Sequence, residues 1–231
     1  MINAVMKFIG GLFFFLVCVI NSLSAYNLRQ VTNSDGLTSS AVLSLLQDSN
    51  GFLWMGTCDG VNIYDGTKAY SWNGWGQLNL SGYIIEEILE THDGVIWVQT
   101  NYGLSKVDKE KRLVVDYPQF KGSYMMVKNE LGNLFFFSSS NLLYAFNEKK
   151  QEFYRLPIGT LDREDIVNLY VNEHYLIIFL KNKIIYYQMK HSPEGEYTLS
   201  TINTSEKTEV RYGFGDKNQV YWLDKDYNLF G

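Results

Sequence analysis

The segment Gln47–Asp65, QDSNGFLWMGTCDGVNIYD, decides how the rest of the chain is read. Asp48-Ser49-Asn50-Gly51 has the composition of a tight turn, with Gly51 free to take a positive φ. Phe52 to Thr57 is an apolar run of strand length carrying Trp54, and after Cys58-Asp59-Gly60 the stretch Val61 to Tyr64 returns as a second strand. The unit then recurs. Shifted by 43 residues, THDGVIWVQTNYGLSKVD (Thr91 to Asp108) lays Gly94, Trp97, Thr100 and Gly103 on Gly51, Trp54, Thr57 and Gly60. NELGNLFFFSSSNLLYAFN, from Asn129, sets Phe135 at the aromatic position. NEHYLIIFLKNKIIYY centres on Phe179 without either glycine, and DKNQVYWLDKDYNLF restores an aromatic at Trp222. The spacings between these anchors are 43, 38, 44 and 43 residues.

A period of about 40–45 residues made of short strands predicts an all-β protein of four-stranded antiparallel propeller blades. In the first blade the strands fall at Ala41–Gln47, Phe52–Thr57, Val61–Tyr64 and Lys68–Trp72. A lone blade cannot bury both faces of its sheet, so Trp54, Trp97, Phe135, Phe179 and Trp222 read as structural anchors in the core between blades. The register begins about five blades and reaches Gly231 in mid-blade, which reads as an incomplete ring.

Met1–Ser24 reads as a secretory signal: Lys7 flanks a 13-residue apolar run, Phe8 to Ile20, too short to span a bilayer, and Ser22 and Ser24 form a small-x-small cleavage site. Residues 25–231 are then an exported domain in which Tyr26–Val31 is a candidate outer strand. Cys58 is the sole cysteine past Cys18 of the signal, which excludes an intrachain disulfide. The formal charge of −5, without a basic run, argues against nucleic acid as a partner.

No metal or cofactor is expected: His92, His174 and His191 fall in different blades without a ligand motif, and there is no phosphate loop or nucleophile elbow. No catalytic residues are assigned. Glu86 and Glu90 are expected on one face of a strand and Glu87 on the other, at a solvated blade edge. In a four-stranded blade, the turns between second and third strands share a rim with the connections between blades. That rim collects Cys58, Asp59, Asn101, Tyr102, Ser139 and Ser140, together with Trp72, Asn73, Trp75 and Gln77. Exposed rings beside amides and carboxylates suit a sugar, so Asp59, Trp72, Asn73, Trp75, Asn101 and Tyr102 are the candidate ligand-binding residues. The alternative is that Trp72 and Trp75 merely cover a blade edge.

Gly36 to Gly66, GLTSSAVLSLLQDSNGFLWMGTCDGVNIYDG, closely resembles the two-component regulator propeller repeat; the second copy departs from it at Gln99, where the family has glycine. The resemblance implies the leading part of a seven-bladed propeller from the periplasmic sensor region of a hybrid two-component histidine kinase of Bacteroidetes. It further implies an oligosaccharide or other small-molecule ligand and dimeric full-length receptors that signal through kinase domains beyond this chain. The family has no fixed catalytic residues to carry over. A secreted propeller enzyme, lyase or glycosidase, and a protein-interaction scaffold remain open as alternatives.

Overall fold

The structure, a computed structural model, describes residues 29–72, 80–111, 113–207, 209–216 and 219–231. It divides into two units, Met1–Val31 and Thr32–Gly231. Of the first, only residues 29–31 are described and they form no strand, so that part of the strand suggested at Tyr26–Val31 is absent. The expected signal at 1–24 lies outside the described residues. Among the described residues no helix is long and apolar enough to cross a membrane.

The second unit is a succession of antiparallel sheets, each ordered as its strands occur in the chain. The first holds β1 (Val42–Gln47), β2 (Leu53–Thr57), β3 (Gly60–Tyr64) and β4 (Ala69–Ser71). The second holds β5 (Ile85–Glu90), β6 (Ile96–Thr100), β7 (Gly103–Asp108) and β8 (Leu113–Tyr117), and the third β9 (Tyr124–Lys128), β10 (Leu134–Phe137), β11 (Leu143–Asn147) and β12 (Glu152–Arg155). The fourth has longer outer strands: β13 (Ile166–Val171), β14 (Tyr175–Leu180), β15 (Lys183–His191) and β16 (Tyr197–Glu206). The fifth has three strands, β17 (Tyr212–Gly215), β18 (Val220–Leu223) and β19 (Leu229–Phe230). The first strands of successive sheets lie side by side, β1 on β5, β5 on β9, β9 on β13 and β13 on β17, which makes them the innermost. Such sheets, packed face to face about their first strands, are the blades of a β-propeller.

Asp48 shows why this sequence turns where it does. Its Oδ1 accepts the Asn50 and Phe52 N–H groups at 2.9 Å each, and Gly51 takes φ 87°. Its Oδ2 accepts the Trp54 indole N–H at 3.0 Å, tying the turn to the core. Asn129, Asn172 and Asp216 accept backbone N–H groups at the same turn of the later blades.

The core is a series of seams between blades. Trp54 packs with Ile85, Ile88 and Val98 of the second blade; Trp97 with Met126, Phe136 and Phe146 of the third; Phe135 with Leu169, Ile178 and Tyr197 of the fourth. Phe179 packs forward on the fifth. Trp222 departs from the pattern. The turn closes between Asp48 and Phe52 in the first blade, four residues apart, but between Asn172 and Tyr175, and Asp216 and Gln219, three apart. Cross-strand pairing therefore puts Ile177 and Tyr221 in register with Trp54, opposite Tyr170 and Phe214 as Trp54 is opposite Leu46. Trp222 is one residue off that register. Side chains alternate along a strand, so it packs back against the fourth blade, half-buried, and stacks on Phe230 at 5.5 Å.

One position on each second strand is matched in size across the seam. Gly56 lies against Ile85, whose Cγ2 stands 2.6 Å from where a Cβ would be. Gln99, at the equivalent place, reaches a serine and donates to the Ser123 carbonyl at 3.0 Å and to Glu86 at 2.9 Å. Phe179 lies on Gly213, where a Cβ would fall 2.1 Å from the ring. Small meets large across these seams, with the small residue on either blade, and Gln99, where the first blade has Gly56, is matched by Ser123 on the third blade's side.

Candidate functional site

The turns between second and third strands are built by a threonine. Thr57 Oγ1 donates to the Gly60 carbonyl at 2.8 Å and accepts the Asp59 N–H at 3.0 Å; Thr100 does the same for Gly103 and Tyr102 at 3.1 and 3.2 Å. Asp59 and Tyr102 are thereby equivalent, each exposed at the tip of its turn. The Gly60 N–H donates to the Tyr83 carbonyl at 2.7 Å, which draws the connection between the first two blades over the Asp59 turn. On its other side Asn101 receives the Ile84 N–H on its side-chain oxygen at 3.3 Å. Tyr83 thus stands between the Asp59 turn and the Asn101–Tyr102 turn. Its ring, 55% exposed, lies 6.3 Å from that of Tyr102, 43% exposed, at an interplanar angle of 49°. Lys121, from the next connection, sets its ammonium 4.6 Å from the Tyr102 centroid.

The structure gathers Asp59, Asn101 and Tyr102, and adds Tyr83 and Lys121, which periodicity alone does not single out. Trp72 is corrected. It is 2% exposed, its ring 5.3 Å from Trp54 in the seam with the second blade, and it offers no face to a ligand. Asn73, Trp75 and Gln77 lie outside the described residues. Ser139 and Ser140 are exposed on the same rim, Ser139 beside Gly122. Two open rings, a carboxylate, an amide and an ammonium can stack on a sugar ring and exchange hydrogen bonds with its hydroxyls.

The opposite rim is differently made. It holds a cavity of about 790 Å³ lined by Ser49, His92, Asp93, Lys106, Lys109 and Leu113, among others. Its charges are engaged with one another. Lys109 bridges Asp48 at 3.1 Å and Glu90 at 2.7 Å, and Ser49 donates to Glu90 through its backbone N–H and its hydroxyl, each at 2.7 Å. Burial pushes the Asp48 and Glu90 carboxyls up, but hydrogen bonds from Trp54 and Lys109 to the first, and from Lys109 and Ser49 to the second, hold both below the ordinary range. Glu90 is a buried ion-pair partner, so the expected solvated strand edge is corrected there. A bulge at Glu86 leaves that residue exposed and turns Glu87 toward the third blade, where burial raises its carboxyl to about 7 against a smaller opposing effect of the Met126 N–H. Lys106 is held by Gln151 and Glu148. This rim reads as a latch between blades, and the tyrosine rim is the better candidate for a ligand. His174 and His191, expected in different blades, both belong to the fourth, and among the described residues no three His, Cys, Asp or Glu side chains converge as metal ligands.

The fold defines the class of protein, a β-propeller, and comparison with known proteins agrees. The extracellular domain of a B. thetaiotaomicron protein described as a hybrid two component system superposes with a TM-score of 0.61 at 18% identity, over 87% of this chain and 31% of that one. A second such domain from the same organism gives 0.57 at 17% identity, over 78% and 26%. Virginiamycin B lyase from Staphylococcus aureus gives 0.54 at 11%, over 87% and 71%. The chain thus spans about a quarter to a third of the length of the two extracellular domains. Residues 36–59 match the family described as Two component regulator propeller, so the first blade carries a repeat of that kind. No curated protein matches the chain.

Proposed function

We propose that this chain is a ligand-binding part of the periplasmic sensor propeller of a hybrid two-component receptor, that it binds an oligosaccharide, and that the signal passes to kinase domains outside these residues. The observation that carries the reading is the Tyr83–Tyr102 pair, exposed between Asp59 and Asn101 on one rim. Large exposed rings beside fixed polar groups are otherwise costly to keep in contact with water. The similarity of residues 36–59 to the regulator propeller repeat, and of the fold to extracellular domains of hybrid two-component systems, supports a sensing role over an enzymatic one. Titration calorimetry of the exported chain against a panel of tetrasaccharides tests it. Binding without turnover is expected, weakened about tenfold by Tyr83→Ala at unchanged melting temperature. Hydrolysis or elimination of the saccharide, or a panel that binds nowhere, contradicts the reading.

A further inference from the structure

The same rim carries a second regularity. On two successive seams a basic residue from the connection between blades sits over a tyrosine: Lys121 over Tyr102 at 4.6 Å, and Arg163 over Tyr124 at 4.1 Å. The two pairs form one run. Gly122, next to Lys121, lies against Ser139 of the β10–β11 turn, and Asn141 of that turn accepts the Tyr124 hydroxyl at 2.8 Å while donating to the Leu161 carbonyl at 3.1 Å, two residues before Arg163. Tyr124 is itself stacked on the buried Phe137 at 5.5 Å, so Arg163 rests on a fixed pedestal. Lys106, Lys109, Lys111, Lys150 and Lys225 are all ion-paired, whereas among the described residues neither Lys121 nor Arg163 has a carboxylate partner. Both cations are therefore held by rings alone, exposed, with their N–H donors open to a ligand.

We infer that the saccharide bound at this rim is anionic, carrying a carboxylate or sulfate group that the ring-seated Lys121 and Arg163 receive while a neighbouring sugar ring stacks on Tyr83. The inference rests on the oligosaccharide reading above. Charge-assisted hydrogen bonds supply the selectivity, and Arg163 can meet a carboxylate or sulfate with two parallel N–H groups. Asp59 lies on the far side of Tyr83 and remains an acceptor for neutral hydroxyls. Asp162 and Glu164 flank Arg163 in sequence and are exposed, so discrimination is local to the two seated cations and not a property of the rim's net charge.

The test is titration of the exported chain with an oligogalacturonate tetrasaccharide and a chondroitin sulfate tetrasaccharide, with cellotetraose and mannotetraose as neutral probes. At least one acidic probe should bind roughly tenfold tighter than either neutral one, with affinity falling as salt rises. Lys121→Gln and Arg163→Gln should each remove most of that difference by lowering acidic affinity far more than neutral affinity, while Lys121→Arg retains it. Because chondroitin sulfate carries glucuronate as well as sulfate, binding of the oligogalacturonate assigns the carboxylate, and loss of chondroitin binding on desulfation assigns the sulfate. Neutral probes binding as tightly as acidic ones, with both glutamine variants silent, overturns the anionic assignment and leaves oligosaccharide binding standing. Failure of all four probes on a folded chain overturns both.

Discussion

Trp54 and Trp97 occupy equivalent positions in successive blades, yet their indole N–H groups fare differently. Asp48 accepts the first at 3.0 Å; Thr91 replaces that aspartate in the second blade, and the fully buried Trp97 N–H has no acceptor among the described residues. Lys106 lies 5.7 Å from the Trp97 ring and meets the π-system, not the N–H. Replacing either indole by phenyl leaves a similar cavity, but only Trp54→Phe also breaks a hydrogen bond. It should cost about 1–2 kcal/mol more than Trp97→Phe in urea denaturation. Glu87 supplies a pH-dependent counterpart. Its carboxyl titrates at 4.5 when unfolded and at about 7 when folded. The folded state thus favours the protonated form, a contribution complete below the lower value and lost as pH rises through the higher one. The melting-temperature advantage of Glu87→Gln over the parent should grow across that window and level off above it. A constant difference would show that Glu87 is solvated. None of this follows from spacing alone, because burial of Glu87 comes from a bulge and from a blade that begins more than thirty residues on.

At the scale of elements, the first three blades are legible in the sequence because a side chain at the turn and an aromatic six residues later recur: Asp48 and Trp54, Thr91 and Trp97, Asn129 and Phe135. The fourth and fifth turns are a residue shorter and have lost their glycines, so the same count misplaces the anchor onto the wrong side of β18. The Thr-x-x-Gly turn was equally legible and placed Asp59 and Tyr102 correctly on one rim. Tyr83, Lys121 and Arg163 were not, since their positions depend on how connections drape over neighbouring blades. Trp72 departs from the expectation because an aromatic at a strand end reads alike in sequence whether it faces solvent or a seam. Two variants test the seams themselves. Lys109→Ala strands Asp48 and Glu90 together and should cost about 2–3 kcal/mol, whereas Lys111→Ala, whose side chain is 78% exposed, should leave the denaturation midpoint almost unchanged. Gly213→Ala drives a methyl into the Phe179 ring and should loosen the fifth blade, read as faster amide exchange in β17 and β18 with β1 to β8 unaffected.

At the scale of the whole molecule, the second strands of the first four blades are largely buried on both faces, but β1 and the fifth blade each leave apolar side chains open. Ser44 and Leu46 face the second blade, while Leu43 and Leu45, the latter 61% exposed, face away from it. In β17, Gly213 and Gly215 meet the fourth blade, and Tyr212 and Phe214 point outward, with Leu229 of β19 exposed on the same side as Tyr212. Apolar sheet faces of this kind associate in water, so the 231-residue chain should self-associate in sedimentation at micromolar concentration. Leu43→Lys with Leu45→Lys should shift it toward monomer, and a monomeric parent would contradict this. The central claim is that the tyrosine rim, not the cavity on the opposite rim, receives the ligand. Hydrogen–deuterium exchange of the chain, with and without the tightest-binding tetrasaccharide, tests it most directly. The account predicts protection at Cys58–Gly60, Asn101–Gly103 and Lys121. Protection at Ser49–Asn50, His92–Gly94 and Lys109–Lys111, with the tyrosine rim unchanged, would contradict it.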